Sequence, residues 1–184
     1  MVNEKCVKEI NNMKRELETD RLILRTVATD DAEAIFKWTS DPDVNTFMNY
    51  TVHESVDFTR EWIKTRNIDG AEEFDLGFVL KETGEMIGMG GLFYKKDIDA
   101  WEIGYNLRKD YWGKGLVPEA IRALIDYVDK EKGVRAIVGE FAVDNNKSRR
   151  VMEKLGMTYW KDSKYSKMDG SKTFEARVYR KELK

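Results

Sequence analysis

The run Trp101-Glu-Ile-Gly-Tyr-Asn-Leu107, continued by Arg108-Lys-Asp-Tyr-Trp-Gly-Lys-Gly115 and Leu116-Val-Pro-Glu-Ala-Ile-Arg-Ala-Leu-Ile-Asp-Tyr-Val128, decides how the chain is read. Its first part alternates. Trp101, Ile103, Tyr105 and Leu107 share one face, and Glu102, Gly104 and Asn106 share the other, the period of a strand. In its last part Ile121, Leu124, Ile125 and Val128 fall at i, i+3, i+4, i+7, the stripe of an amphipathic helix. Pro118 fits only in the first turn of such a helix.

Between strand and helix lies Gly113-Lys114-Gly115. Glycines let backbone approach a ligand closely. The helix that follows begins with unpaired N–H groups and the positive end of its dipole. Together they form a ready anion site, usually for phosphate. The alternative is a tight turn that happens to use two glycines. A Walker loop is excluded, because position 108 is not glycine and no Ser or Thr follows Lys114. The Gly-x-Gly-x-x-Gly dinucleotide fingerprint fails at Pro118.

The 184 residues suit one domain with a sizeable core. Net charge is −2 although 36% of residues are charged, so no basic excess points to nucleic acid as a partner. The apolar runs are too short to span a bilayer, and the first residues lack the apolar core of a signal peptide. One cysteine (Cys6) and one histidine (His53) argue against an internal disulfide and against a metal cluster. A cytoplasmic protein, monomer or homodimer, is expected.

Residues 1–17 are polar and loosely helical in spacing, read as an extension before the domain at 18–184. Arg21 to Thr26 reads as a strand. Asp30 with Glu33 signals a helix start, and Ser40-Asp-Pro-Asp43 breaks that helix. An aromatic loop, Phe47 to Tyr50, precedes a second helix over about 54–66, with Phe58 and Trp62 at i, i+4. His53 at its start reads as a cap or surface residue. Residues 67–73 form a polar connection. A hairpin over 74–95 contains Gly88, Gly90 and Gly91, which signal a bulge or close backbone approach. Asp97-Ile-Asp99 turns the chain into the Trp101 strand. Lys132-Gly133 ends the long helix, Arg135 to Val143 is a strand, and Asn145 caps a short helix ended by Gly156. A hairpin over 157–180 closes the chain. Strand–helix–strand across 101–143 implies parallel neighbours. The order is β-α-α-β-β-β-α-β-α-β-β.

Glu102-Ile-Gly-Tyr105, Tyr111-Trp-Gly-Lys-Gly115, Glu119-Ala120, Asn145-x-x-Ser148 and Glu153-Lys-Leu-Gly-Met157 together resemble the GNAT N-acetyltransferases. Within them the chain is most similar to the RimJ/RimL type, named for ribosomal-protein N-terminal acetylation. Glu18-Thr-Asp-Arg-Leu-Ile-Leu-Arg25 and Trp38-Thr-Ser-Asp-Pro42 match the same type. The resemblance covers residues 18 to 180. It implies one α/β domain whose mixed, mostly antiparallel sheet holds a splayed parallel pair.

It also implies acetyl-CoA as donor and a primary amine as acceptor, either a protein N-terminus or a small molecule. A non-catalytic acetyl-CoA-binding regulatory module is the competing class. By resemblance, pantetheine pairs with the backbone of Tyr105, Asn106 and Leu107. The pyrophosphate meets Trp112, Gly113, Lys114, Gly115, Leu116 and Val117. Asp110 stands where the family pattern has Gln or Arg, so Lys114 and backbone N–H groups must bind the anion. Met48 and Tyr50 are either acceptor contacts or packing residues. Glu102 is the candidate base, with Glu140 in reserve; it could instead attract a cationic acceptor or form an ion pair. Many relatives protonate the thiolate with a tyrosine where this chain has Met152. Ser148 fills that role in some relatives, or bonds its local backbone. Asn145 contacts CoA or caps its helix. Lys147, Arg149 and Arg150 meet the 3′-phosphate or form a solvated basic face.

Overall fold

The protein's structure, a computed structural model, describes residues 16–66 and 72–184. Cys6 and most of the expected N-terminal extension lie outside the described residues, as does most of the 67–73 connection.

Among the described residues, eight strands form one sheet. They are β1 (Glu16–Glu18), β2 (Leu22–Arg25), β3 (Glu73–Leu80), β4 (Met86–Lys95), β5 (Ala100–Leu107), β6 (Ala136–Ala142), β7 (Thr158–Ser166) and β8 (Thr173–Glu182), in spatial order β1-β2-β3-β4-β5-β6-β8-β7. Every neighbouring pair is antiparallel except β5 and β6. Helices α1 (Ala32–Thr39), α2 (Pro42–Asn45) and α3 (Val56–Thr65) follow β2, α4 (Leu116–Lys132) joins β5 to β6, and α5 (Asn146–Lys154) follows β6.

The expected α/β architecture holds, with two additions. Glu16–Glu18 pairs with Ile23–Arg25 as an edge strand that straddles the boundary expected at residue 18. Pro42–Asn45 forms a helical turn, capped by Asp41 accepting from the Asp43 N–H, inside the expected break. Proline at the first helical position is favourable, so the break and the new helix share one signal.

Side chains alternate across the sheet and divide the core. Ile103 and Leu107 pack with Leu76, Phe78 and Leu92 against Leu116, Ile121, Leu124 and Val128 of α4. On the other face Val79, Met86 and Met89 meet Ile35, Trp38 and Ile63 of α1 and α3. Phe78, Ile121 and Trp38 are wholly buried, each contributing about 1.5–3 kcal/mol. Gly88 and Gly90 bring backbones together as expected: an added Cβ would lie 2.5 Å from the Asn106 carbonyl oxygen and 2.7 Å from that of Gly104.

Three local expectations are corrected. The first helix starts at Ala32, after a 3-10 turn over Thr29–Asp31. There Asp31, not Asp30, does the work, accepting from the Ala28 N–H and holding Arg25 through two hydrogen bonds. In α3 the buried residues are Thr59 and Ile63, while Phe58 is 49% exposed. His53 is a buried residue rather than a surface one or a cap. Ser55 caps α3 by accepting from the Phe58 N–H, and the imidazole is ringed by Tyr50, Phe58 and Trp62.

Candidate active site

The parallel pair is short. β5 and β6 are in register only at Trp101↔Ile137 and Glu102↔Val138. Beyond Glu102 the remaining β5 residues pair with β4 alone. This split opens a cleft of about 1230 Å³ lined from β4, β5, β6, the loop before α4, α5, and the segment before α3.

The loop sits at one end of the cleft. Gly113 and Gly115 have φ of 78° and 77°, a left-handed conformation that only glycine adopts cheaply. Gly115 is the N-cap of α4. Among the described residues, no hydrogen bond is donated by the backbone N–H of Gly113, Lys114, Gly115, Leu116 or Val117. Five consecutive free donors at a helix N-terminus form a concentrated anion site. The Trp112 indole N–H bonds the Leu107 carbonyl at 2.8 Å and ties the loop to β5. Lys147 Nζ lies 3.7 Å above the Trp112 ring, and Lys114 Nζ 4.8 Å from the centre of the Tyr111 ring. Asp110, the departure from the family pattern, is held by two bonds from Arg108. That guanidinium holds its carboxyl below the usual range and offsets its charge. Arg150 and Lys154 also line the cleft, while Arg149 pairs with Glu153.

Period two sends Glu102 and Tyr105 to opposite faces of β5. Tyr105 points toward α5, where its hydroxyl lies 2.7 Å from Ser148 Oγ. Burial pushes the phenol well up, and the Ser148 hydroxyl only partly opposes this, so Tyr105 stays protonated at neutral pH. Asn145 caps α5 by accepting from the Ser148 N–H at 3.1 Å. The cap therefore satisfies the local backbone, and the Ser148 hydroxyl meets Tyr105 instead. Met152 is buried, filling the space over Gly139, where a Cβ would sit 2.4 Å from its sulfur.

On the other face Glu102 lines the cleft and pairs with Lys95 at 2.9 Å. Glu140 and Tyr165 line the same end. Met48 and Tyr50 also line it, with Trp62, Arg66, Asp75 and Asn106. Arg66 stacks on Trp62 and forms an ion pair with Asp75. Burial pushes the Asp75 carboxyl up, against the pull of Arg66. The Tyr50 hydroxyl faces Asn106, yet neither side-chain oxygen completes a hydrogen bond. Tyr165 reaches across to the Phe47 carbonyl at 2.7 Å, and the Met168 N–H bonds the Asn49 carbonyl at 2.7 Å. The β7–β8 hairpin thus holds the Phe47–Tyr50 loop over this end of the cleft.

Sequence reasoning missed two features here. Tyr105 was read for its backbone, although its hydroxyl is the partner of Ser148. Arg21 reads in the sequence as the start of a strand and part of the Glu18–Arg25 motif, with no role at the loop, yet it donates to the Lys114 carbonyl at 2.9 Å and to Glu119 at 2.7 Å.

A split parallel pair with a glycine loop and a helix N-terminus at its mouth defines a fold class that several comparisons identify. The profile of the acetyltransferase (GNAT) domain family matches residues 21–158. The uncharacterized N-acetyltransferase p20 of Bacillus licheniformis is 33% identical over 144 residues, covering 76% of this chain and 80% of that protein. A GNAT-family acetyltransferase from Bacillus anthracis superposes with a TM-score of 0.76 at 25% identity, covering 91% of this chain and 98% of that one. RimL, a ribosomal L7/L12 acetyltransferase solved with coenzyme A, shares the fold, with a TM-score of 0.77 at 16% identity and coverage of 92% and 98%. The chain belongs to the GNAT family and is an acetyl-CoA-dependent N-acetyltransferase. No helix among the described residues is long and apolar enough to cross a membrane.

Proposed function

We propose that this enzyme acetylates a cationic primary amine by direct attack on acetyl-CoA, and that residues on opposite faces of β5 divide the proton work. The observation that carries this reading is the placement of Glu102 and the Tyr105–Ser148 pair on either side of the split. The amine enters on the Glu102 side and loses a proton to that carboxylate, directly or through water, so that its lone pair is free. Attack forms the C–N bond and breaks the C–S bond; the attacking nitrogen then sheds its second proton to water, and the thiolate takes one up through Ser148. The thiolate leaves on the other side, beside Ser148. Tyr105 donates to Ser148 Oγ, which frees the serine's own O–H for the developing negative charge.

Charge along the cleft supports the direction of entry. Lys147, which sits over the Trp112 ring of the loop, lines the cleft with Arg150 and Lys154 of the same helix and suits the phosphates of CoA. Glu102 and Glu140, both close to Lys95, also line the cleft and suit a cation. In this reading Trp112 to Val117 hold the pyrophosphate, Tyr105 to Leu107 present backbone to pantetheine, and Asn145 fixes the start of α5. Met48 and Tyr50 contact the acceptor. The RimL likeness points to a protein N-terminus as one acceptor class and leaves a small amine as the other. In this reading the transferase domain is residues 18–184 together with the rest of the Glu16–Glu18 edge strand that pairs with β2.

The deciding experiment measures thiol release from acetyl-CoA across a panel of N-terminal peptides, amino acids, polyamines and aminoglycosides. Acceptor-dependent release with a matching acetylated product is expected. Binding of acetyl-CoA without turnover on any amine would favour a regulatory module instead.

A further inference from the structure

We infer that Arg21 is a latch that sets the glycine loop for the donor's pyrophosphate. The inference rests on reading that loop as the pyrophosphate site. Arg21 stands at the start of β2, far from the loop in sequence and next to it in space. Its Nη1 donates to the Lys114 carbonyl at 2.9 Å. Its Nε donates to Glu119 Oε2 at 2.7 Å, and its backbone N–H donates to Glu119 Oε1 at 2.9 Å. Thr19 adds a hydroxyl bond to Glu119 Oε1 at 2.6 Å. One guanidinium therefore joins the middle of the loop to the first turn of α4.

The orientation follows from peptide geometry. In a trans peptide the C=O and the next N–H point in opposite directions. Holding the Lys114 carbonyl against Arg21 turns the Gly115 N–H away from Arg21, toward the cleft. Gly115 tolerates this because its φ of 77° suits glycine. Glu119 poses a second problem, since a carboxylate in the first turn of α4 would repel a pyrophosphate bound there. Burial works against its charge, but bonds from Thr19 and Arg21 hold its carboxyl below the usual range. Arg21 offsets that charge while using it as an anchor. Because it acts through the Lys114–Gly115 peptide, Arg21 is a positioning residue.

The test compares acetyl-CoA with S-acetyl-pantetheine, which carries the thioester but no pyrophosphate, using Kd by calorimetry and KM by thiol release. The wild type is expected to prefer acetyl-CoA. Arg21→Ala should weaken acetyl-CoA by about 10- to 100-fold, the worth of a hydrogen bond to a charged group. It should leave S-acetyl-pantetheine and the saturated rate unchanged. Equal weakening of both donors would mean general damage and would overturn the latch, as would no weakening of either. Absence of the wild-type preference would overturn the pyrophosphate reading, and the latch with it. Glu119→Gln separates the latch from simple attraction by the sign of its effect. Removing a negative charge near the anion should tighten acetyl-CoA if Arg21 acts only as a nearby cation. Loss of the anchor should weaken it if Arg21 is a latch. Tighter binding in Glu119→Gln overturns the proposal.

Discussion

The Tyr105 hydroxyl lies 2.7 Å from Ser148 Oγ, linking β5 to the first turn of α5 across 43 positions. If the pair works as one donor, Ser148→Ala should lower kcat by about 10²-fold, the scale seen when one transition-state donor is removed. Tyr105→Phe should cost less. Adding it to Ser148→Ala should cost nothing further, because groups acting as a unit are not additive. Steady-state kinetics on the two single variants and the double variant decide the matter. Losses that multiply would show two independent roles.

Glu102→Gln keeps the shape of the side chain and removes its ability to accept a proton. Turnover should fall by roughly 10²–10⁴-fold with acetyl-CoA affinity unchanged. The deficit should shrink at high pH, where more of the amine is already neutral. A raised KM for the acceptor with intact kcat would instead assign Glu102 to attraction of a cation. Unchanged kinetics would move the search to Glu140.

Gly115→Asp places a side chain and a negative charge where five free N–H groups converge. Its Cβ would meet only Arg21 Nη2, at 3.7 Å, so the cost to the fold is mainly about 1–2 kcal/mol of left-handed strain. Acetyl-CoA should raise the melting temperature of the wild type but not of the variant. The same shift in both would remove the loop from the donor site.

His53 makes stability depend on pH. Its Nδ1 lies 2.8 Å from Thr59 Oγ1, which is also 3.1 Å from the Ser55 carbonyl. Burial lowers the imidazole pKa in the folded protein. The unfolded chain then binds a proton that the folded one resists, starting near pH 6.5. This contribution is present in full above that pH and is lost as the pH falls below it, by at most about 1.4 kcal/mol per pH unit. Melting temperatures measured from pH 7 to 5 should fall in the wild type. They should fall less steeply in His53→Gln; parallel slopes would acquit the histidine.

What the sequence made legible was local. The alternation of Trp101 to Leu107, the Gly113 and Gly115 pair, Pro118 in a first turn and the Asn145 cap each depend on neighbours a few residues away, and each appears in the structure as read. The features that escaped depend on pairings between distant segments. Tyr105 belongs to an apolar stripe by period, and nothing in its own strand announces a hydroxyl partner on α5. Arg21 and Glu119 are 98 positions apart. Asp110 read as an obstacle to phosphate until Arg108, two residues away, was seen to turn toward it. His53 looked like a helix-start residue because the aromatic cage around it forms only when Tyr50 and α3 fold together.

The β7–β8 hairpin that holds the Phe47–Tyr50 loop over the cleft bears on the order of assembly. Tyr165 and Lys167 bond Phe47 and Asn45 across separations of 118 and 122 positions. Such distant closures form late, since a long loop must be ordered before any contact rewards it. In the reading proposed above, the strand, loop and helices that face the donor lie within residues 100–154. On that reading, the segments proposed to hold CoA leave the ribosome before the hairpin does. The contacts that hold the Phe47–Tyr50 loop in place can form only after residue 168 has emerged, so on that reading the side proposed for the amine is the last part of the cleft to take shape.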